Sequence, residues 1–230
     1  MLLLLALVAF PTQRIANLPT GRILEPGHWQ IAVSHRFFSP DDNEALEGNL
    51  LNFLTGPTVR VTFDRAFSRS FLGVAAGNGG HELGLRAGYA PWRWTTLYAD
   101  LSANVVDLQQ ENVWAGLAVA APWTPARFLH LVAAPQLTAS TESLFVSLGL
   151  GALADIGQDL SVGLEAEPVI IGSLDKLAWN LALDKELGWH NFTFVVGNSY
   201  YQHLPGRFSR ANRDITKGYL RVGFNILRRF

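Results

Sequence analysis

The side chains of this chain that could do chemistry are its charges, amides and hydroxyls, because it contains no cysteine and six histidines. Without cysteine there is no disulfide, no thiolate metal ligand, no thiol nucleophile and no lipidated cysteine. The histidines show neither His-x-His nor HExxH spacing, which removes the common zinc patterns. A lipid hydrolase on a barrel would need a serine within hydrogen-bond reach of a histidine on a lipid-facing surface. Ser34 adjoins His35, but neighbours along a strand point to opposite faces, so that pair does not meet the requirement. No catalytic residue, cofactor or metal is therefore expected. What remains is a set of charges: Arg36, Arg60, Asp64, Glu82, Arg86, Asp100, Glu165, Glu167, Asp184, Lys217 and Arg221. Their meaning depends on the elements that carry them.

The stretch 81–105 shows what those elements are. Leu83, Leu85, Ala87 and Tyr89 alternate with Glu82, Gly84, Arg86 and Gly88, and Leu97, Ala99, Leu101 and Ala103 alternate with Tyr98, Asp100, Ser102 and Asn104. Period two is the signature of a strand. Folding the stretch about Arg93, within a turn at 91–94, sets Leu85 opposite Leu101 and Arg86 opposite Asp100. One face is then apolar throughout, and the other carries an expected Arg86–Asp100 ion pair.

The same alternation recurs along the chain. It predicts strands at 27–38, 57–65, 71–77, 112–121, 128–138, 143–153, 160–167, 177–185, around 192–196 and at 217–230, twelve with the two of the hairpin. His35 falls on the apolar face of the first. A proline-rich turn is expected at 122–128, and a short helix from Asp41 or Asp42. The longest connections, 39–56 and 200–216, leave odd-numbered strands, while compact turns follow even-numbered ones. That asymmetry predicts a closed antiparallel up-and-down transmembrane β-barrel with both termini at the short-turn, periplasmic rim. Twelve strands enclose more space than the ~8 whose side chains just fill a barrel, so the apolar face must point outward into lipid. Closure pairs every backbone amide, as hydrocarbon requires.

The chain is 49% hydrophobic yet has no apolar run near the ~18 residues of a spanning helix. Its net charge of -1 and its scattered basic residues give no field for nucleic acid. Residues 1–10, MLLLLALVAF, have the length of a signal-peptide apolar core. The expected organisation is a secretion signal and lead-in over 1–16 and one barrel domain over 17–230. Trp29, Trp92, Trp94, Trp123, Trp189 and Phe230 fall near one rim and are expected to anchor it at the membrane interface.

The segment NLPTGRILEPGHWQIAVSHRF, followed by FDRAFSRSFLGVAAG, resembles an uncharacterised family of bacterial membrane or secreted β-barrel proteins, domain-of-unknown-function family 5777. The resemblance rests mainly on residues 17 to 80. It implies a barrel and brings no activity or site. The ending YLRVGFNILRRF resembles the signal that barrel-assembly machinery reads, with Phe230 terminal and Ile226, Phe224 and Val222 at alternate positions before it. Membrane lipid and that machinery are thus the expected partners, and the outer membrane of a Gram-negative type bacterium the expected location.

On this frame the charges point inward. Arg36, Arg60, Lys217 and Arg221 lie on strands that adjoin once the barrel closes, whereas Glu165, Glu167 and Asp184 occupy the ninth and tenth. Two readings stay open: a transverse field across a channel, or ion pairs that fill and rigidify a narrow interior. A hard-cation site at the three acids lacks the regular acidic spacing of a binding loop. The function expected is a narrow passive, porin-like channel, with a non-conducting scaffold for an envelope complex as the alternative and a lipid hydrolase as a remote one. The loop asymmetry makes a topological prediction. Cysteines placed at Asn43 and Arg210 are labelled on intact cells by an impermeant reagent, and one at Arg93 is not; the converse pattern would invert the barrel.

Overall fold

The computed structural model describes residues 13–37, 58–77, 82–92, 94–104, 113–140, 143–199, 213–214 and 220–230. Outside them lie the apolar leader, the loop at 39–56 with its expected helix at Asp41 or Asp42, Arg93, Lys217 and most of the loop at 200–216. The described residues form twelve strands: β1 (Trp29–Phe37), β2 (Thr58–Ala66), β3 (Ser70–Gly77), β4 (Glu82–Trp92), β5 (Thr95–Asn104), β6 (Val113–Ala126), β7 (Leu129–Ser140), β8 (Leu144–Gly157), β9 (Leu160–Ile171), β10 (Leu177–Leu187), β11 (His190–Gly197) and β12 (Arg221–Arg229). Each pairs antiparallel with its neighbours in sequence, and β1 pairs β12 from Gln30↔Arg229 to Phe37↔Val222, which closes the barrel. Closure leaves no edge strand.

Three strands outrun the sequence reading at a proline, one of them β9, which continues past 167 through Pro168 to Ile171. β4 continues through Pro91 to Trp92, and β6 through Pro122 and Pro125 to Ala126, each with a register shift in its last turn of pairing. Proline has a φ that suits an extended chain and lacks only a donor, so a bulge at a rim accommodates it. The even-to-odd connections are accordingly tight. In two of them a residue in the left-handed region makes the reversal, Asp159 at φ 56° and Gly188 at φ 58°. Glycine has no Cβ to clash there, and aspartate is among the few other residues that tolerate it.

Alternation becomes inside and outside. Leu72, Leu85, Leu117, Leu164 and Phe194 are exposed on the outer surface, Leu85 at 60%, while Ser102, Thr138, Asn180 and Thr193 on the opposite parity are buried. A continuous apolar exterior of this kind is what a bilayer solvates. At the short-turn rim it ends in aromatic side chains. Trp92 stacks on Trp94 with ring centroids 5.0 Å apart, and Trp123, Trp189 and Phe230 are exposed beside them. Arg65 lies 4.5 Å over the Trp29 ring and Arg228 4.7 Å over Phe230. Long cationic stems against aromatic faces at this level can reach headgroups from an apolar belt. Near the other rim His35 faces outward, covered by Phe37 and Phe224 at 4.2 and 5.2 Å between centroids.

Arginine in place of Leu101, which is exposed near the middle of β5, destabilises the barrel by about 2–4 kcal/mol through the cost of a charge in hydrocarbon. Denaturant unfolding in lipid vesicles measures it, and a cost near zero would mean that the apolar exterior does not meet lipid.

Candidate functional site

Some of the most buried apolar residues precede the first strand. Ile15, Ala16 and Leu18 are 1, 1 and 0% exposed, and Asn17 and Thr20 are equally enclosed. Residues 13–28, expected as a plain lead-in, run from the short-turn rim into the barrel and turn back on themselves. The turn is closed by Ile15 N–H donating to the Leu18 carbonyl at 3.1 Å and Thr20 N–H to that of Gln13 at 3.0 Å, with an Arg14↔Pro19 bridge. Gly21 takes the bend at φ 89°, where a Cβ would stand 2.9 Å from Pro122. Thr96 and Tyr98 steady this limb by donating to the Gly21 and Arg22 carbonyls at 2.7 and 3.3 Å. Residues 13–20 thus form one structural unit, an internal hairpin.

Wall composition determines where the hairpin sits. Gly149, Gly151 and Gly163 face inward on β8 and β9, beside Val132 and Leu153. A Cβ on Gly151 would lie 2.6 Å from Ile15 Cδ1 and 2.9 Å from Leu18 Cδ2, and one on Gly163 2.6 Å from Ile15 Cγ2. The glycines are the recess into which those two side chains fit, and apolar burial holds them there.

Polar contacts fix the tip. The Glu165 carboxylate, fully buried, accepts from Asn17 N–H at 2.9 Å, Leu18 N–H at 2.7 Å and Asn180 Nδ2 at 2.5 Å. On the opposite wall Arg36 donates to Asn17 Oδ1 at 3.0 Å and Asn225 Oδ1 at 2.8 Å, and Asn225 Nδ2 donates to the Ala16 carbonyl at 2.9 Å. Asn17 Nδ2 also donates to Ser199 at 3.0 Å, near the long-loop rim. The basic and acidic walls thus meet through the hairpin and not across an open lumen. The other two acids are held separately, Glu167 by Gln136 at 2.9 Å and Asp184 by Asn191 at 2.7 Å and by Thr193. Among the described residues no group of acids and histidines is placed to hold a metal.

A second cluster corrects the hairpin ion pair. Arg86 and Asp100 do stand opposite one another in register. Their charges pair elsewhere: Arg86 Nε lies 3.3 Å from Asp64 Oδ1, while Arg60 reaches Asp100 at 3.3 Å and Glu82 at 3.5 Å. Glycine again decides. Gly73 stands between Asp64 and Arg86 in the ladder, and a Cβ there would overlap the Asp64 carboxylate; one on Gly84 would lie 3.3 Å from the Arg60 guanidinium. Bare backbone lets these side chains cross one or two strands to partners beyond the nearest neighbour. Of the charges read from the sequence, Arg36, Arg60, Asp64, Arg86, Asp100, Glu165, Glu167, Asp184 and Arg221 are buried within the barrel, Glu82 is partly so, and Lys217 lies outside the described residues.

Thr124, His130, Asp155 and Ser161 went unremarked in the sequence because they lie on four different strands. Thr124 Oγ1 and His130 Nδ1 are 3.2 Å apart, His130 Nε2 and Asp155 Oδ2 3.3 Å, and Ser161 donates to Asp155 Oδ1 at 2.7 Å. This hydroxyl–imidazole–carboxylate chain ties β6 through β9 at the short-turn rim. Thr124 and His130 are buried inside, away from the lipid-facing surface on which a lipase would work.

Residues 127–230 match the family model described as a membrane bound beta barrel domain, DUF5777. The match covers β7 to β12 and the Glu165 wall, whereas the resemblance noted from sequence to the same family rests mainly on 17 to 80. No functionally curated protein matches the chain. Among solved structures, the KdgM porin in complex with disordered oligogalacturonate is similar over 87% of this chain and 99% of its own, at a TM-score of 0.57 and 12% identity. The KdgM porin alone gives 0.54 and 13% over the same shares. The COG4313 outer membrane channel from Pseudomonas putida F1 gives 0.54 at 11%, over 90% of this chain and 97% of its own. At such identities the likeness is one of fold.

The exchange of ion-pair partners is measurable. A double-mutant cycle on Arg86→Ala and Asp64→Ala gives a coupling of about 1 kcal/mol or more, and the cycle on Arg86→Ala and Asp100→Ala gives less. A larger value for the second cycle would restore the directly opposed pair.

Proposed function

We infer that this chain is an outer-membrane channel of narrow bore, closed at rest by its own N-terminal hairpin. The observation that carries the reading is the hairpin itself, a chain segment inserted from one rim and held by hydrogen bonds and two apolar side chains, with no covalent tie. Twelve strands enclose more volume than their side chains fill, and a removable segment occupies the surplus. Solute moves when the tip leaves the Glu165 carboxylate and the glycine recess. The apolar exterior, the aromatic rim and the fold shared with porins support an outer-membrane location with the short turns periplasmic. The buried position of Thr124 and His130 favours a passive role over lipid hydrolysis.

In planar bilayers the intact protein conducts rarely. Excision of residues 13–20, or Gly151→Leu to fill the recess of Ile15 and Leu18, produces frequent long openings, and Glu165→Gln an intermediate increase. An excised barrel that folds, by its resistance to unfolding in cold detergent, yet gives no conductance steps would make the protein a non-conducting scaffold.

A further inference from the structure

Beside the hairpin, on the side away from the glycine recess, part of the interior is open. The cavity has an empty volume of about 750 Å³, a figure that counts the part open to solvent. Four guanidinium groups line it: Arg14 and Arg22 from the hairpin, Arg86 from β4 and Arg229 from β12. Among the described residues no carboxylate lines it. The nearby acids stand behind the arginines or are held by other groups: Asp64 against Arg86, Glu186 against Arg229, and Asp184 on Asn191 and Thr193. A solute entering here meets cationic nitrogen first. Arg22 also feels Arg229 as a like charge, offset by Glu186 and Glu25.

A second observation concerns hydrogen-bonding capacity that the fold leaves unused. Thr62 and Gln30 line the same cavity and are almost fully buried, yet Thr62 Oγ1 and Gln30 Oε1 have no hydrogen-bond partner. Gln30 spends its amide nitrogen on Gln13 at 2.7 Å and keeps its oxygen. Buried polar atoms without partners are uncommon in folded proteins and need a reason, and a ligand is one. The free hydroxyl can donate to an anionic oxygen, and the free amide oxygen can accept only from a ligand that itself carries a donor.

We propose that this cavity is a binding site for a small hydroxylated organic anion, in which Arg14, Arg22, Arg86 and Arg229 attract the charge while Thr62 and Gln30 recognise an acid oxygen and a ligand hydroxyl. Guanidinium groups suit carboxylate and phosphate because they present paired donors in a plane. Within the channel reading, on which the role of the site rests, such a solute is the cargo and the cavity its first stop inside the short-turn rim. Two of the four cations ride on the hairpin, so occupancy of the site and position of the plug are linked, and a ligand that binds better to one hairpin position favours that position.

The test is equilibrium binding to the full-length barrel in detergent micelles, by calorimetry or ligand-observed NMR, with gluconate, inorganic phosphate, glucose and glucosamine as probes. Gluconate is expected to bind saturably, phosphate more weakly because a compact tetrahedral ion does not span from the arginines to Gln30 as a polyol chain does, and glucose and glucosamine not at all. Arg22→Gln weakens gluconate roughly tenfold. Thr62→Val, which removes a hydroxyl that bonds to nothing in the fold, weakens gluconate severalfold and leaves thermal unfolding unchanged or slightly raised. Equal binding of glucose and gluconate, or gluconate binding indifferent to both variants, overturns the proposal. Binding as expected in a barrel that never conducts keeps the site and removes the channel. Conductance after hairpin excision, together with no gluconate binding to the intact barrel, keeps the channel and removes the site.

Discussion

A carboxylate buried in a barrel wall must be given donors or it does not stay charged, and at Glu165 the donors are two backbone N–H groups of a segment far away in sequence together with Asn180. Hydrogen bonds to a charged acceptor contribute about 1.5–3 kcal/mol each, so this contact is strong enough to hold a short hairpin in place. Its strength is conditional. Removing the hairpin strands the charge, and removing the charge leaves two amides and a turn to be resolvated. Arg36 completes the arrangement from the opposite wall through the Asn17 side chain. The separated positive and negative walls of the interior therefore act as two sides of a clamp on one asparagine-centred turn.

Inward glycines do the fitting. On β8 and β9 they make the depression that receives Ile15 and Leu18. On β3 and β4 Gly73 and Gly84 clear the way for Asp64, Arg86, Arg60 and Asp100 to choose partners that are not directly opposite. In both places a strand surrenders side-chain volume so that something longer can lie across it. Glycine costs strand stability in isolation, and here the loss is offset by contacts that a larger residue would block.

The exterior asks little of the sequence beyond apolarity and an aromatic margin, because lipid accepts any apolar side chain. Specificity resides within, where each polar group must find a partner in a confined space. The Thr124–His130–Asp155–Ser161 chain shows the rule satisfied, and Thr62 and Gln30, beside the arginine-lined cavity, are among the buried groups at which it is left open. The arginine-lined cavity on one side of the hairpin and the glycine recess on the other make the two sides of the interior unlike.

Local sequence determined the strands, their number, their facing and the register of the 81–105 hairpin, because period-two alternation is a property of neighbouring residues and lipid demands it on every strand. It also carried the expectation that the charges face inward and that Trp29, Trp92, Trp94, Trp123, Trp189 and Phe230 lie near one rim. Pro91 and Pro122 misled at the strand ends, since whether proline stops a strand depends on whether a bulge at the rim absorbs the missing donor. The partners of Arg86 and Asp100 were beyond local reading, because a long side chain can cross bare glycine on an intervening strand and alternation records only direct opposition. The hairpin was beyond it too. Ile15 and Leu18 carry no periodic signal, and their place follows from Gly149, Gly151, Gly163 and Glu165, more than 130 residues later. The one local trace was inward apolar and glycine residues on strands expected to face water. Only closure of the barrel brings that recess, that carboxylate and that turn to the same point.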